Sequence, residues 1–262
     1  MQEAAVSMRH ISKSFGKKVI ANKNVDLDIY HGEILSLLGE NGSGKTTLLH
    51  TIQGTLPRYT GTIRINGREL SGLNTRQRAA LVTTMAQELP AEEGLTGMDR
   101  IEMGFFPVKG LFGRLTATER ETIRSMAQDF GILPLLGRDL AAMSTGERQM
   151  ISLLRAAVQN TPLLLLDEPS SALDFNRTGQ LFSMLRQMAE HGKSIVIVLH
   201  DPAQALRHAD RLLLMAGEEP VSVDLRNTEY DRLEQMLRKL YPTLRIHRNP
   251  HFCYTEPENF HQ

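Results

Sequence analysis

Residues 39–46 constrain this chain more than any other segment. They read Gly-Glu-Asn-Gly-Ser-Gly-Lys-Thr and fill every fixed position of the phosphate-binding pattern G-x-x-x-x-G-K-[ST]. An apolar run at residues 33–38 predicts a strand before them, and residues 47–52 have a helical pattern after them. A strand leading into the loop and a helix leading out of it are what phosphate binding by this pattern requires. The segment therefore predicts a loop that binds a nucleoside triphosphate rather than an ordinary glycine-rich turn.

The chemistry expected of this loop follows from its residue types. Glycines let successive backbone N–H groups converge on an anion, and the next helix begins there with its positive dipole end. Lys45 is predicted to reach the β- and γ-phosphates, and the Thr46 hydroxyl is predicted to hold Mg²⁺. The predicted nucleotide contacts in this segment are Gly39, Asn41, Gly42, Ser43, Gly44, Lys45, Thr46 and Thr47.

The overall composition argues against several other classes of protein. The 262 residues carry no net charge, which gives no general attraction to nucleic acid or to an acidic membrane. A single cysteine, Cys253, excludes an internal disulfide and suits a reducing compartment. No signal peptide is visible, and the longest apolar runs are far shorter than the ~20 residues that span a bilayer. We expect any association with a membrane to depend on partners.

Hydrophobic patterning indicates an α/β core. Alternating stretches at residues 5–8 and 25–29 predict an antiparallel piece, and residues 61–67 predict a short strand closed by an Asn-Gly turn. Uninterrupted apolar runs at residues 163–166 and 194–199 are typical of parallel strands that are covered on both faces. The stretch between these two runs has a helical pattern at residues 180–191, as strand–helix–strand alternation requires.

Residues 89–156 differ from this core because they show helical patterns and little β-branched clustering. We predict a nucleotide-binding domain over residues 1–225, with its core at 1–88 and 157–225 and a helical subdomain at 89–156. Residues 226–262 are predicted to form an amphipathic helix and a polar tail. The spacing of the ligand-capable residues in the tail matches no structural zinc pattern; these are His247, His251, Cys253 and His261.

Two acidic residues follow the first of the long apolar runs. Asp167 and Glu168 come directly after residues 163–166. The carboxyl ends of parallel strands are where α/β proteins bind ligands, so we expect both carboxylates beside the phosphate loop. Asp167 is predicted to hold Mg²⁺ through its water shell, and Glu168 to polarise the water that attacks the γ-phosphate. Alone, the pair would equally fit a strand ending in solvent; the phosphate loop upstream favours the catalytic interpretation.

The order of these motifs resembles the nucleotide-binding subunits of ABC transporters over about residues 5–217. Gln87, between the two motifs, matches the glutamine of the family's Q-loop, and His200 matches its switch histidine. Residues 171–174, Ser-Ala-Leu-Asp, match the D-loop that crosses the dimer interface, which assigns Asp174 to the shared nucleotide site.

This resemblance implies the α/β fold of a P-loop NTPase, with a RecA-like core, an antiparallel β subdomain and an inserted helical subdomain. It also implies ATP as the substrate and Mg²⁺ as the metal. The residues that it implies for catalysis are Glu168, His200 and Gln87, and those for the metal are Thr46, Gln87 and Asp167.

The family signature, Leu-Ser-Gly-Gly-Gln, corresponds here to residues 143–147, Met-Ser-Thr-Gly-Glu, with three of five positions changed. A serine hydroxyl at a helix N-terminus still favours the γ-phosphate bound to the other subunit, so Ser144, Gly146 and Glu147 are assigned to that site. A carboxylate would repel phosphate, but the capping-box spacing lets Glu147 bind the backbone N–H of Ser144 instead. The alternative is a merely capped helix, as the same spacing predicts at residues 116–119.

Two further features refine the resemblance. Phe15 occupies the place where the family stacks an aromatic ring on adenine; a core or loop phenylalanine is the alternative. Residues 103–114 are similar to the ATPases of iron–siderophore, haem and cobalamin importers, although Phe105 and Val108 replace the Arg and His common in that branch.

The resemblance implies an ATP-hydrolysing importer subunit that works as a homodimer, with each ATP between the phosphate loop of one copy and the signature of the other. Its implied partners are two transmembrane permease subunits and a substrate-binding protein, with no nucleic acid. Its implied location is the cytoplasmic face of a prokaryotic plasma membrane, and its implied cargo is a metal chelate. The alternative is a soluble ABC ATPase acting as a regulator or adaptor without transport, which would be expected to lack Glu168 or His200.

Overall fold

The structure is a computed structural model that describes residues 4–15, 19–85, 93–110, 115–217, 219–249 and 252–257. Gln87 lies outside these residues. The strands are β1 Ala4–Phe15, β2 Val19–Tyr30, β3 Ile34–Gly39, β4 Thr60–Ile65, β5 Arg68–Glu69, β6 Val82–Met85, β7 Leu163–Asp167, β8 Ser194–Val198, β9 Arg211–Met215, β10 Val221–Asp224, β11 Leu244–Asn249 and β12 Phe252–Pro257. The helices are α1 Lys45–Gln53, α2 Thr75–Ala79, α3 Gly97–Met103, α4 Phe106–Lys109, α5 Ala117–Asp129, α6 Thr145–Val158, α7 Phe175–Glu190, α8 Pro202–His208 and α9 Tyr230–Leu237.

The N-terminal segments form an antiparallel sheet in the order β2-β1-β4-β5. Alternating residues of β1, such as Met8, are fully buried, which explains the alternation seen in the sequence. Asn66 and Gly67 join β4 to β5 with φ values of 46° and 71°, the positive pair that a two-residue hairpin turn requires. The antiparallel piece and its Asn-Gly turn are therefore confirmed.

The second sheet has the order β10-β9-β3-β8-β7-β6, with parallel pairing from β9 through β6. Its central strands are buried on both faces. Leu163 and Leu165 of β7 pack into the hydrophobic cluster shared with α1 and the antiparallel sheet, whereas Leu164 and Leu166 pack into the cluster shared with α5, α6 and α7. A parallel strand between two cores needs apolar residues at every position, which is why this run lacks alternation.

The described residues between 93 and 158 are mainly helical, and three of their helices, α3, α5 and α6, begin at reciprocal capping boxes. Thr116 and Glu119 cap α5, and Ser144 and Glu147 cap α6, both at the predicted positions. Thr96 and Asp99 form a third box at α3. Each box satisfies backbone N–H groups that have no partner within the helix.

The described residues of the C-terminal region, 226–249 and 252–257, contain regular structure beyond the predicted helix. Helix α9 buries Leu233 and Leu237 against the helical side of the large sheet, as its amphipathic pattern predicts. The chain then forms a hairpin of β11 and β12, which we did not predict. Glu234 of α9 holds this hairpin by accepting a hydrogen bond from the backbone N–H of Ile246 at 2.7 Å. Leu244 and Ile246 of β11 alternate with polar residues and pack on the large core, a pattern too short to predict a strand.

Among the described residues, none of the helices combines the length and apolar character that crossing a bilayer demands.

The imidazole of His208 gives the fold a predicted sensitivity to acid. It stacks on the Phe182 ring with centroids 4.0 Å apart, and burial, aided by Arg207 and Arg186, lowers its pKa to about 4. Because an unfolded histidine titrates near pH ~6.5, the unfolded chain binds more protons between these values, so stability falls as the pH falls through this window. We expect His208→Gln to reduce that fall, measured as urea midpoints at a series of pH values. Equal pH dependence in both proteins would contradict this assignment.

Candidate functional site

The phosphate loop connects the end of β3 to the start of α1. Gly42 and Gly44 have φ values of 82° and 94°, a region that other residues rarely adopt. At Gly39 a Cβ atom would lie 2.5 Å from the Ser43 hydroxyl oxygen and 2.9 Å from the Met215 carbonyl oxygen, so no side chain fits. No side chain caps α1 at Gly44. The loop thus leaves the N-terminus of α1 free to receive an anion.

Lys45 is buried at the centre of this loop. Its Nζ donates hydrogen bonds to the carbonyl oxygens of Gly39 at 2.7 Å and Glu40 at 2.8 Å. Burial lowers the pKa of the Lys45 ammonium, while the carboxylates of Glu168 and Asp167 act in the opposite direction. The lysine therefore lies within electrostatic range of both acidic residues, as their predicted placement beside the phosphate loop requires.

Other loop residues have different exposures. The side chains of Asn41 and Thr46 are exposed, and Thr47 is half-buried. The Ser43 hydroxyl oxygen is buried and has no hydrogen-bond partner among the described residues. Asn22, which we did not predict, is buried and donates from Nδ2 to the Gly44 carbonyl oxygen at 3.2 Å. Its side chain fixes the loop from the antiparallel sheet.

The acidic pair lies at the carboxyl end of β7, beside β8. Asp167 is paired with Val198 of β8, and Val198 is paired with Leu37 of β3, so three strands end at one edge. Within the described part of the chain, Asp167 Oδ1 is buried and has no hydrogen-bond donor. A buried, unpaired carboxylate oxygen is costly unless a cation satisfies it, and together with the Thr46 hydroxyl it fits the oxygen ligands that Mg²⁺ prefers.

Glu168 and His200 form a close pair. His200 Nε2 lies 2.5 Å from Glu168 Oε1, and Glu168 has a φ of 49°, which is unusual for a residue with a side chain. The backbone N–H of Glu168 bonds to the Val198 carbonyl oxygen at 3.2 Å. Tyr241, in the region predicted as a tail, donates its hydroxyl to the His200 carbonyl oxygen at 3.2 Å. The carboxylate and the imidazole are thus held together at the edge of the sheet.

The signature turn, residues 143–147, has the hydrogen bonds that the capping-box spacing predicts. Glu147 Oε2 accepts the Ser144 N–H at 2.8 Å, and the Ser144 hydroxyl accepts the Glu147 N–H at 3.2 Å. Glu147 Oε1 lies 2.9 Å from Arg138 Nη1 and 3.4 Å from Arg177 Nη2. The hydrogen bond from Ser144, helped by the two arginines, lowers the pKa of Glu147. Its charge is neutralised locally, which reduces the repulsion of phosphate expected from a carboxylate here.

Two predicted site residues lie apart from this edge. Phe15, at the end of β1, is 46% exposed, with Lys13 Nζ 5.1 Å from the ring centroid. Asp174 is the N-cap of α7 and accepts the Arg177 N–H at 2.9 Å. Across the described residues, no hydrogen bond or ion pair joins the signature turn to the phosphate loop. The structure therefore brings together Lys45, Asp167, Glu168 and His200, but leaves Ser144, Gly146, Glu147 and Asp174 in a separate group.

Comparison with known proteins identifies the family. The model of the family described as ABC transporter matches residues 22–171. An uncharacterised ABC transporter ATP-binding protein of Methanocaldococcus jannaschii is 35% identical over 81% of this chain and 73% of its own length. The iron(3+)-hydroxamate import ATP-binding protein FhuC of Bacillus subtilis is 30% identical over 80% of this chain and 78% of its own. The hemin import ATP-binding protein HmuV of Pseudomonas fluorescens is 34% identical over 80% and 82%.

Solved structures agree with this result. A metal-chelate type ABC transporter in an inward-facing conformation has a chain that superposes with a TM-score of 0.80 at 22% identity, over 98% of this chain and 99% of that one. An ATP-binding cassette solved as a dimer with ADP and phosphate has a TM-score of 0.72 at 25% identity, over 85% and 100%. The fold is that of the ABC cassettes, which are P-loop NTPases. The chain therefore belongs to the ABC transporter family, as one of its ATP-binding ATPases.

Proposed function

We propose that this chain is the ATP-hydrolysing subunit of an importer and that two copies enclose each nucleotide. The observation that carries the catalytic part is the Glu168–His200 pair, which lies at the same sheet edge as Lys45 and the unpaired Asp167 oxygen. A base held by a histidine beside a loop that binds phosphate has the geometry for hydrolysis of a γ-phosphate.

Each residue at this edge has a proposed task. The backbone N–H groups at the start of α1 and the Lys45 ammonium bind the β- and γ-phosphates. Glu168 accepts a proton from the attacking water, and His200 orients Glu168 and contacts the γ-phosphate. Asp167 and Thr46 would hold Mg²⁺, with Gln87 as a third predicted ligand, and the bound ion would neutralise charge on the phosphates. Phe15 offers a partly exposed ring on which adenine can stack.

The other half of the site is proposed to come from a second copy. Ser144 and Gly146 lie at the N-terminus of α6, whose dipole favours an anion, and within the described residues no hydrogen bond or ion pair joins them to the phosphate loop of their own chain. Asp174 lies beside them, at the start of α7. The dimeric form of the related cassette bound to ADP and phosphate supports this arrangement. Closure of the two copies would complete the site and exclude water from it.

A groove between α2, β6, α4 and α6 is the proposed contact with a permease subunit. Its volume is about 890 Å³, and Val82, Thr83 and Thr84 of β6 line one side of it. Arg78 and Arg155 line it, and among the described residues Arg155 Nε is buried without a hydrogen-bond partner. Lys109 and Glu119 in the groove neutralise each other as an ion pair. Arg78 and Arg155 therefore give the groove a net positive charge. We assign to it a cytoplasmic segment of the permease that carries an acidic side chain.

The cargo and the domain division are proposals of the same kind. Relatives named for hydroxamate and hemin import, and the structural neighbour of metal-chelate type, favour a metal chelate as cargo, delivered by a separate substrate-binding protein. The chain would then work at the cytoplasmic face of a prokaryotic plasma membrane. We retain residues 1–88 and 157–225 as the core, 89–156 as the helical subdomain and 226–262 as a C-terminal extension.

Replacement of Lys45 tests the phosphate loop. Lys45→Ala removes the ammonium that faces the phosphates, so we expect ATP affinity to fall by at least about tenfold and hydrolysis to be lost. Titration with a fluorescent ATP analogue, together with phosphate release, measures both effects. Lys23→Ala, on β2, is the control for the loss of a lysine elsewhere. Unchanged affinity and rate in Lys45→Ala would contradict the assignment.

Reversal of charge in the groove tests the permease contact. Affinity purification of the chain from detergent-solubilised membranes of its host should capture a polytopic membrane protein. Arg78→Glu should lose this partner because it would repel an acidic segment, while ATP hydrolysis by the isolated chain stays within about twofold of wild type. Arg124→Glu, an exposed arginine of α5, is the matched control and should retain the partner. Capture of no membrane protein by the wild-type chain would contradict the importer, and equal capture by Arg78→Glu would contradict the groove.

A further inference from the structure

The segment between β7 and α7 connects the two groups of functional residues within one chain. It begins at Glu168, the proposed base, and ends at Asp174, the N-cap of α7. Internal hydrogen bonds stiffen it, since the backbone N–H and the hydroxyl of Ser171 both donate to the Glu168 carbonyl oxygen, at 3.2 and 3.0 Å. The first turns of α6 contact this segment at both of its ends.

The contact at the far end is ionic. Arg177, in the first turn of α7, places Nη2 3.4 Å from Glu147 Oε1 and Nε 3.5 Å from Asp174 Oδ2. Its guanidinium therefore bridges the signature turn and the end of the connecting segment. The aliphatic part of the same side chain packs on the turn, because a Cβ atom at Gly146 would lie 3.2 Å from Arg177 Cδ. The arginine fills the space that the glycine leaves.

The contact at the near end is a buried hydrogen bond. The Gln149 side chain is 8% exposed, and its Nε2 donates to the carbonyl oxygen of Pro169, the residue that follows Glu168. Gln149 lies on α6 two residues after Glu147, so one short stretch of helix holds both ends of the segment. A buried amide donor satisfied by a single carbonyl fixes the position of that carbonyl.

The ionic contact differs from an ordinary surface salt bridge. Exposed pairs contribute only about 0–1 kcal/mol, but the Glu147 side chain is 16% exposed and both of its oxygens are engaged. One oxygen caps α6, and the other faces the guanidinium groups of Arg138 and Arg177. Arg138 is tied down in turn, since its Nη2 donates to the Ala142 carbonyl oxygen at 2.6 Å. A glutamine at position 147 would preserve the cap but lose the attraction for both arginines.

We propose that the first turns of α6 form a clamp on the segment between β7 and α7. The clamp fixes Glu168, the base of one nucleotide site, relative to Ser144, which serves the nucleotide site of the other copy. Glu147 and Arg177 are positioning residues in this clamp, and they need not contact the nucleotide. Gln149 holds the near end. The proposal rests on the proposed function of Glu168 and Ser144, and it predicts that loss of the Glu147–Arg177 pair lowers kcat while leaving ATP binding to the chain intact.

A double-mutant cycle tests the energetic coupling of this pair. We expect Glu147→Gln and Arg177→Gln each to lower kcat about tenfold, with ATP affinity within about twofold of wild type. The double variant should lose less than the product of the two single losses, because both variants remove the shared Glu147–Arg177 interaction and each also removes a contact of its own, Glu147–Arg138 or Arg177–Asp174. Arg177→Lys should recover part of the rate. Arg120→Gln is the matched control and should leave kcat unchanged. It breaks the 2.9 Å ion pair between Arg120 of α5 and Glu102 of α3, away from the clamp.

Hydrogen exchange gives a readout that does not depend on activity. Glu147→Gln and Arg177→Gln should speed amide exchange in residues 168–177 of the nucleotide-free protein, whereas Arg120→Gln should not. Wild-type kcat in both single variants, additive losses in the double variant, or unchanged exchange in residues 168–177 would each overturn the clamp. If the wild-type chain hydrolyses no ATP, the proposed function fails, and the exchange experiment still decides whether the clamp exists.

Discussion

The carboxyl ends of β3, β7 and β8 meet at one edge of a sheet that is buried on both faces, and the rest of the molecule depends on that meeting. The edge collects an ammonium, two carboxylates and an imidazole from three segments far apart in sequence. Parallel pairing fixes their relative positions, because Asp167 is in register with Val198 and Val198 with Leu37. The buried leucine-rich runs are therefore the scaffold of the site as well as the core.

Several residues at this edge are held in costly conformations or environments. Glu168 has a positive φ, Lys45 is buried, and one oxygen of Asp167 is buried without a partner among the described residues. Such features persist where the surrounding structure enforces them, and they are concentrated at functional sites. The opposing charges of Lys45 and the two acids reduce the cost, and a bound cation and nucleotide would reduce it further. The second group of residues, around α6, has its charges satisfied within the chain instead.

Much of this arrangement could be predicted because it follows from local patterns. The phosphate loop is a contiguous motif, uninterrupted apolar runs indicate parallel strands, and the spacing of Ser144 and Glu147 indicates the cap. The contacts of Asn22 with the loop and of Tyr241 with His200 could not be predicted, because each joins segments that only the tertiary fold brings together. The β11–β12 hairpin was missed because its alternation is limited to Leu244 and Ile246, too short to distinguish a strand from a loop. The role of Gln87 stays a prediction, since that residue lies outside the described part of the chain.

The central claim is that the edge around Lys45 and Glu168 is one half of a site that a second copy completes through Ser144. The most direct test is the state of the Glu168→Gln variant with ATP and Mg²⁺, measured by sedimentation together with analysis of the bound nucleotide. The account predicts a stable dimer that retains uncleaved ATP, and a Ser144→Arg copy of the same variant that stays monomeric. Undiminished hydrolysis by Glu168→Gln, or uncleaved ATP bound to a chain that stays monomeric, would contradict it.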